Sequence, residues 1–132
     1  MDLEIINIAS NTDNNRNIKG RTHYSKLKNP LCGDELQIEL IIKNNKIVDF
    51  GYHGKSCIFC QASASLLSKI SINNQKDKIY NLCEEAKSYF DEDNEIKEKK
   101  WVLLKKLFKK RYLARKECIL LPFNALKKIV SK

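Results

Sequence analysis

No stretch of this chain approaches the roughly 18 apolar residues of a membrane span. Met1 to Ser10 lacks a basic start and a long apolar run closed by small residues, so no secretory leader is expected. Both absences predict a cytoplasmic protein. Histidine is scarce, with only His23 and His53; His53, four residues before Cys57, could lie near a site there, but no motif claims it and a surface or loop role is expected. Cysteine is present but not in the form of a disulfide framework. The count is five, an odd number, and in a reducing compartment thiols act as metal ligands or catalytic groups, or simply pack. Zinc-finger spacing is also missing, because 24 residues separate Cys32 from Cys57 and 60 separate Cys57 from Cys118.

What is present begins with size and charge. The 132 residues suit one domain, 1–132, with an ordinary core and an irregular N-terminal segment over 1–20. The formal charge of +9 is uneven: residues 97–132 hold thirteen Lys/Arg against two Glu, whereas residues 1–96 hold twelve Lys/Arg against fourteen Asp/Glu. The basic character therefore belongs to the last quarter.

Apolar alternation at Leu36, Ile38 and Leu40, and again from Ile47 to Tyr52, predicts an antiparallel hairpin across Lys43-Asn44-Asn45-Lys46. A modest strand from Arg21 to Lys28 precedes it and ends at Asn29-Pro30. Beyond Cys57 the period changes, with Ile58, Ala62, Leu66 and Ile70 recurring every four residues. Further helices are expected over about Lys78 to Phe90, over about Ile96 to Tyr112 with Leu103, Leu104, Leu107 and Phe108 buried, and from near Cys118 onward with Pro122 in the first turn. The acidic run Asp91-Glu92-Asp93-Asn94-Glu95 would suit the start of the third. The class is α+β: a three-stranded antiparallel sheet packed against four to five helices.

Cys32, Cys57 and Cys118 each fall at the edge of an expected strand or helix. Side chains so placed can converge at one end of the domain, where three thiolates and the carboxylate of Asp34 would form a four-ligand site for a soft or borderline metal. A helix N-terminus favours a thiolate, and Cys57 and Cys118 both fit that placement. Gly33 and Gly54 permit tight turns beside them. A buried inert thiol is the alternative for each cysteine, and it is the reading for Cys83. Cys57-Ile58-Phe59-Cys60 has the spacing of a thioredoxin-like redox pair, but a hairpin precedes it where a βαβ crossover should be, and no proline is placed to lie beside the thiols. Packing is the expectation for Cys60.

Asn29-Pro30-Leu31-Cys32-Gly33-Asp34, then Gly54-Lys55-Ser56-Cys57 with Ala62-Ser63-Ala64-Ser65, then Cys118 before an apolar helix, resembles the U-type iron–sulfur cluster assembly family of the NifU N-terminal domain, IscU and SufU. The resemblance runs from about Asn14 to Val130. It implies a site at Cys32, Asp34, Cys57 and Cys118 holding a [2Fe–2S] cluster or iron, with a cysteine desulfurase and recipient apo-proteins as partners. The long stretch between Cys57 and Cys118 is similar to the SufU branch, which implies zinc and a sulfur-accepting role, with Cys118 or Cys57 taking persulfide sulfur and Cys118 preferred. A scaffold or carrier is expected rather than a turnover enzyme, with sulfurtransferase activity as the alternative. The chain departs from IscU-like members at Glu117, where they carry His, and at Leu113-Ala114-Arg115-Lys116, where they carry Leu-Pro-Pro-Val-Lys. The family's N-terminal His-Tyr is missing, and Asn15 stands where proline is usual.

A reading of another class is a nucleic-acid or membrane-surface module using Lys97, Lys100, Lys105, Lys106, Lys109, Lys110, Arg111 and Arg115. Trp101, Phe108 and Tyr112 fall on the apolar side and read as core, not base-stacking platforms. An acidic protein partner fits that face better.

Overall fold

The computed structural model describes residues 2–31, 33–92 and 99–131, with the side chains of Lys99 and Lys100 outside the description. The element order is α1 (Leu3–Ala9), β1 (His23–Lys28), β2 (Glu35–Lys43), β3 (Lys46–His53), α2 (Ile58–Ser71), α3 (Lys76–Glu92), two 3-10 helical segments (Lys99–Lys106 and Lys110–Arg115) and α4 (Lys116–Val130). The strands form one antiparallel sheet in the order β1-β2-β3. Leu36, Ile38 and Leu40 all point into the core, as their alternation requires. Asn44 and Asn45 take φ of 53° and 64° at the hairpin tip, the left-handed pair that suits the strand twist.

α2 and α4 pack together and cover the inner face of the sheet, with α3 against α4 and α1 against α2. Small residues allow the closest approach. Ala62, Ser63, Ala64 and Ser65 are all buried, and the Ser63 hydroxyl donates to the Ile119 carbonyl at 2.6 Å.

The N-terminal segment, expected to be irregular, contains a capped helix and then an ordered strap. The Asn14 carbonyl accepts from the Tyr52 N–H at 3.0 Å, the Asn14 amide donates to the Ser68 hydroxyl at 2.9 Å, and Ser65 donates to the Asn11 carbonyl at 3.0 Å. Gly51 leaves the strap its path, since a Cβ there would lie 2.4 Å from the Arg16 carbonyl oxygen. On the same side Glu39 is buried, and accepts from the Ile18 N–H at 2.8 Å and the Gln37 amide at 2.9 Å. Arg21 and His53 stand 3.1 and 3.0 Å from its carboxylate.

Two expectations change in the last third. The expected helix from Ile96 to Tyr112 is instead a pair of 3-10 segments, and Trp101 departs from helical geometry (φ −97°, ψ 17°). Trp101, Leu104 and Leu107 recur every three residues, which aligns them on one edge of a three-residue turn and leaves Leu103 47% exposed. Ile96 and Lys97, like Asp93, Asn94 and Glu95 of the acidic run, lie outside the described residues; Asp91 and Glu92 end α3. Pro122 is the seventh residue of α4, because that helix starts two residues before Cys118. It has no N–H to offer the carbonyl four positions back, that of Cys118.

Candidate metal centre

The β1–β2 loop is closed by Asn29. Its side-chain oxygen accepts from the Leu31 N–H and its carbonyl from the Gly33 N–H, both at 2.8 Å, while its own N–H donates to the Asp34 carbonyl at 2.8 Å. Gly33 completes the turn with φ of 77°. Cys32, inside this turn, lies outside the described residues. Its neighbour Leu31 is 83% exposed at the tip.

β3 leaves the sheet through Gly54, whose φ is 149° and where a Cβ would come 2.2 Å from the Glu35 carbonyl oxygen. This close approach lets the Glu35 N–H donate to the Lys55 carbonyl at 2.8 Å, joining the two loops. Cys57 follows as the N-cap of α2, with no capping bond from its own side chain. Asp34 secures that end of the helix differently: its Oδ2 accepts from the N–H of Cys57 itself at 3.1 Å. Cys118, in the first turn of α4, is buried against the same spot.

A carboxylate oxygen of Asp34 and the Sγ atoms of Cys57 and Cys118 all lie within 4.8 Å of one another. Around a tetrahedral zinc, thiolate sulfurs about 2.3 Å from the ion stand roughly 3.7 Å apart, so a contraction of about an ångström would close these three on one ion. Two soft sulfurs and one hard oxygen also match a borderline metal in chemical character. Three of the four residues expected at the site are thus gathered.

The two other described thiols lie elsewhere. Cys60 and Cys83 do not join the cluster, both are buried, and burial pushes the Cys83 thiol up to about 12. His53 turns to Glu39 rather than to the site, and Glu117 stands exposed on the rim. Beside that rim a groove of about 210 Å³ runs between Leu27, Pro30, Leu31 and Leu121.

Two roles were not read from the sequence: the stapling by Asn29 and the bond that Asp34 accepts from the Cys57 N–H. An Asn directly before Pro is a turn initiator and is a signal for the first. Nothing local signals the second, because the helix it secures begins 24 residues away.

Among the described residues of the basic face, four have partners within the molecule. Lys109 pairs with Glu4 at 3.2 Å and Arg111 with Asp2 at 2.8 Å, while Lys110 lies over the Tyr89 ring and Arg115 over the Phe59 ring. Lys105 and Lys106 are exposed. Trp101, Phe108 and Tyr112 are buried, as expected of core aromatics.

The sequence model of the NifU-like N terminal domain matches residues 4–98. The chain belongs to this family. Over 107 residues it is 34% identical to the iron-sulfur cluster assembly scaffold protein IscU of Thermotoga maritima, covering 80% of this chain and 74% of that protein. Its fold is similar to the N-terminal part of a nitrogen-fixing NifU-like protein from Brucella abortus, with a TM-score of 0.89 at 21% identity over 98% of this chain and 91% of that one. A putative scaffold protein for the SUF system from Fervidobacterium islandicum gives the same TM-score at 23% identity, over 98% and 96% of the two chains. The NifU-like match ends before Cys118, so the place of that thiol beside Asp34 and Cys57 rests on geometry.

Proposed function

We propose that this NifU-like chain is an iron–sulfur cluster assembly scaffold whose cargo is held by Cys32, Asp34, Cys57 and Cys118. The convergence of Asp34, Cys57 and Cys118 from three separate elements carries this reading. A bound iron or zinc ion would stabilise the thiolates as a Lewis acid. The mixed donor set holds cargo less firmly than four thiolates, which suits a protein that must hand it on. Asp34 ties the set to the fold, since the carboxylate that faces both sulfurs also accepts the Cys57 N–H at the start of α2.

A second reading, a zinc-dependent sulfur acceptor, uses the same donors, with Cys118 in the first turn of α4, the helix that follows the 3-10 segment Lys110–Arg115. In that role the Cys118 thiolate attacks the terminal sulfur of a persulfide on a cysteine desulfurase. A new S–S bond forms to Cys118, the old one breaks, and the desulfurase leaves as its thiolate.

Anaerobic incubation with ferrous iron, cysteine and a cysteine desulfurase separates the two. The scaffold reading expects visible absorption of a cluster bound to this chain and its transfer to an apo-ferredoxin. Faster desulfurase turnover with a persulfide mass shift on Cys118, and no cluster absorption, would replace it with the second.

A further inference from the structure

α1 has seven residues, too few to persist as an isolated helix. It buries Ile5 in the core beside α2 and is capped by Asp2, whose Oδ1 accepts from the N–H groups of Glu4 at 2.9 Å and Ile5 at 3.4 Å. The other oxygen of Asp2 reaches the second 3-10 segment, where it pairs with Arg111 at 2.8 Å and accepts a hydrogen bond from the Tyr112 hydroxyl. The Tyr112 hydroxyl, the Glu4 and Ile5 N–H groups and, least, the Arg111 guanidinium hold the Asp2 carboxyl below the usual carboxylate range. One turn along, Glu4 pairs with Lys109 at 3.2 Å.

The same segment also grips the first turn of α2. The Tyr112 ring meets Phe59 edge-on at 5.3 Å, and the Arg115 guanidinium lies 5.4 Å from the Phe59 ring centre. Phe59 is two residues beyond Cys57, and Arg115 is three before Cys118. Lys109, Arg111, Tyr112 and Arg115 therefore link α1 on one side to the Cys57 end of α2 on the other, and α4 begins directly after them.

We infer that Asp2 and Glu4 are positioning residues: through Arg111, Tyr112 and Lys109 they make α1 a latch that keeps the Cys118 segment closed against Cys57. The inference rests on the reading of Cys118 as a ligand or sulfur acceptor, and it says what governs how readily that thiol leaves the cluster. Ion pairs this exposed are individually weak, which makes the latch releasable in a local opening far short of unfolding.

The test is timed alkylation of the reduced, metal-free full chain, read cysteine by cysteine by mass spectrometry. Asp2→Asn with Glu4→Gln removes both charges while leaving an Asn cap on α1. Alkylation of Cys118 is expected to quicken by about tenfold, the loss of two weak pairs, with Cys60 and Cys83 unchanged. Glu4→Lys alone should also quicken it, and adding Lys109→Glu should restore the native rate. An unchanged Cys118 rate, or equal acceleration of Cys60 and Cys83, would overturn the latch, the latter by revealing general loosening. Because this readout needs no metal, failure of the metal-binding reading is distinguishable from failure of the latch.

Discussion

Asp34 has two duties that substitution can separate. It faces the two sulfurs, and it accepts the Cys57 N–H at the start of α2. Asp34→Ala should remove both, costing about 1 kcal/mol of stability, the usual net contribution of one hydrogen bond. Asp34→Asn keeps an oxygen for the N–H but not the anionic ligand, so it should unfold near the native denaturant midpoint and yet bind metal more weakly. Urea titrations and competition with a chelator, run on both variants, check the pair. Equal loss of stability in both would mean that the charge, not the hydrogen bond, is what α2 needs.

Among the elements, the 3-10 segment Lys99–Lys106 gives the clearest contrast, because Leu103 and Leu104 are adjacent in sequence and opposite in environment. Leu104→Ala, at a fully buried site, should cost about 2–5 kcal/mol. Leu103→Ala should change stability by less than about 1 kcal/mol. Similar losses at both would restore the α-helix expected from the sequence. That expectation failed because, over so few turns, apolar residues at 101, 104, 107 and 108 fit a period of 3.6 as well as one of 3.0. The hairpin was legible because two-residue alternation over Leu36–Leu40 has no helical equivalent, and α2 because its four-residue repeat runs for more than three turns. The strap over residues 11–18 was illegible, since its order comes from polar contacts with β3 and α2 that no periodicity records. Around the candidate site, short motifs pointed to Asp34 and Cys57 and the start of an apolar helix to Cys118, but the bond that ties the first two together joins residues 23 apart and has no local signature.

For the molecule as a whole, acid is the expected weakness. Burial of Glu39 would raise its pKa, but the Ile18 N–H, His53, Arg21 and Gln37 outweigh that and hold it below the ordinary value. Asp49, paired with Arg16, and Glu84, bonded to Lys127, are shifted the same way. A carboxylate with a depressed folded pKa contributes stability above its unfolded pKa and loses it as the pH falls through the folded value. Stability should therefore drop steeply below about pH 4, and Glu39→Gln, less stable at neutral pH, should show a shallower drop. Urea midpoints measured from pH 7 down to 3 test this; parallel curves for the two proteins would show that Glu39 is not a source of the acid dependence. The basic surface adds a second property at this scale. With Lys109 and Arg111 paired to α1, the exposed positive charge of the 3-10 region is smaller than its lysine count suggests.

The metal content of anaerobically purified protein bears most directly on the central claim. Zinc, iron and acid-labile sulfide per chain should be measured for the native sequence and for Cys32→Ala, Asp34→Ala, Cys57→Ala and Cys118→Ala, with circular dichroism to verify folding. Near-stoichiometric metal in the native chain, lost or sharply reduced in each folded variant, is the predicted result. A native chain that takes up no metal, or one whose metal survives the loss of both Cys57 and Cys118, would contradict the account.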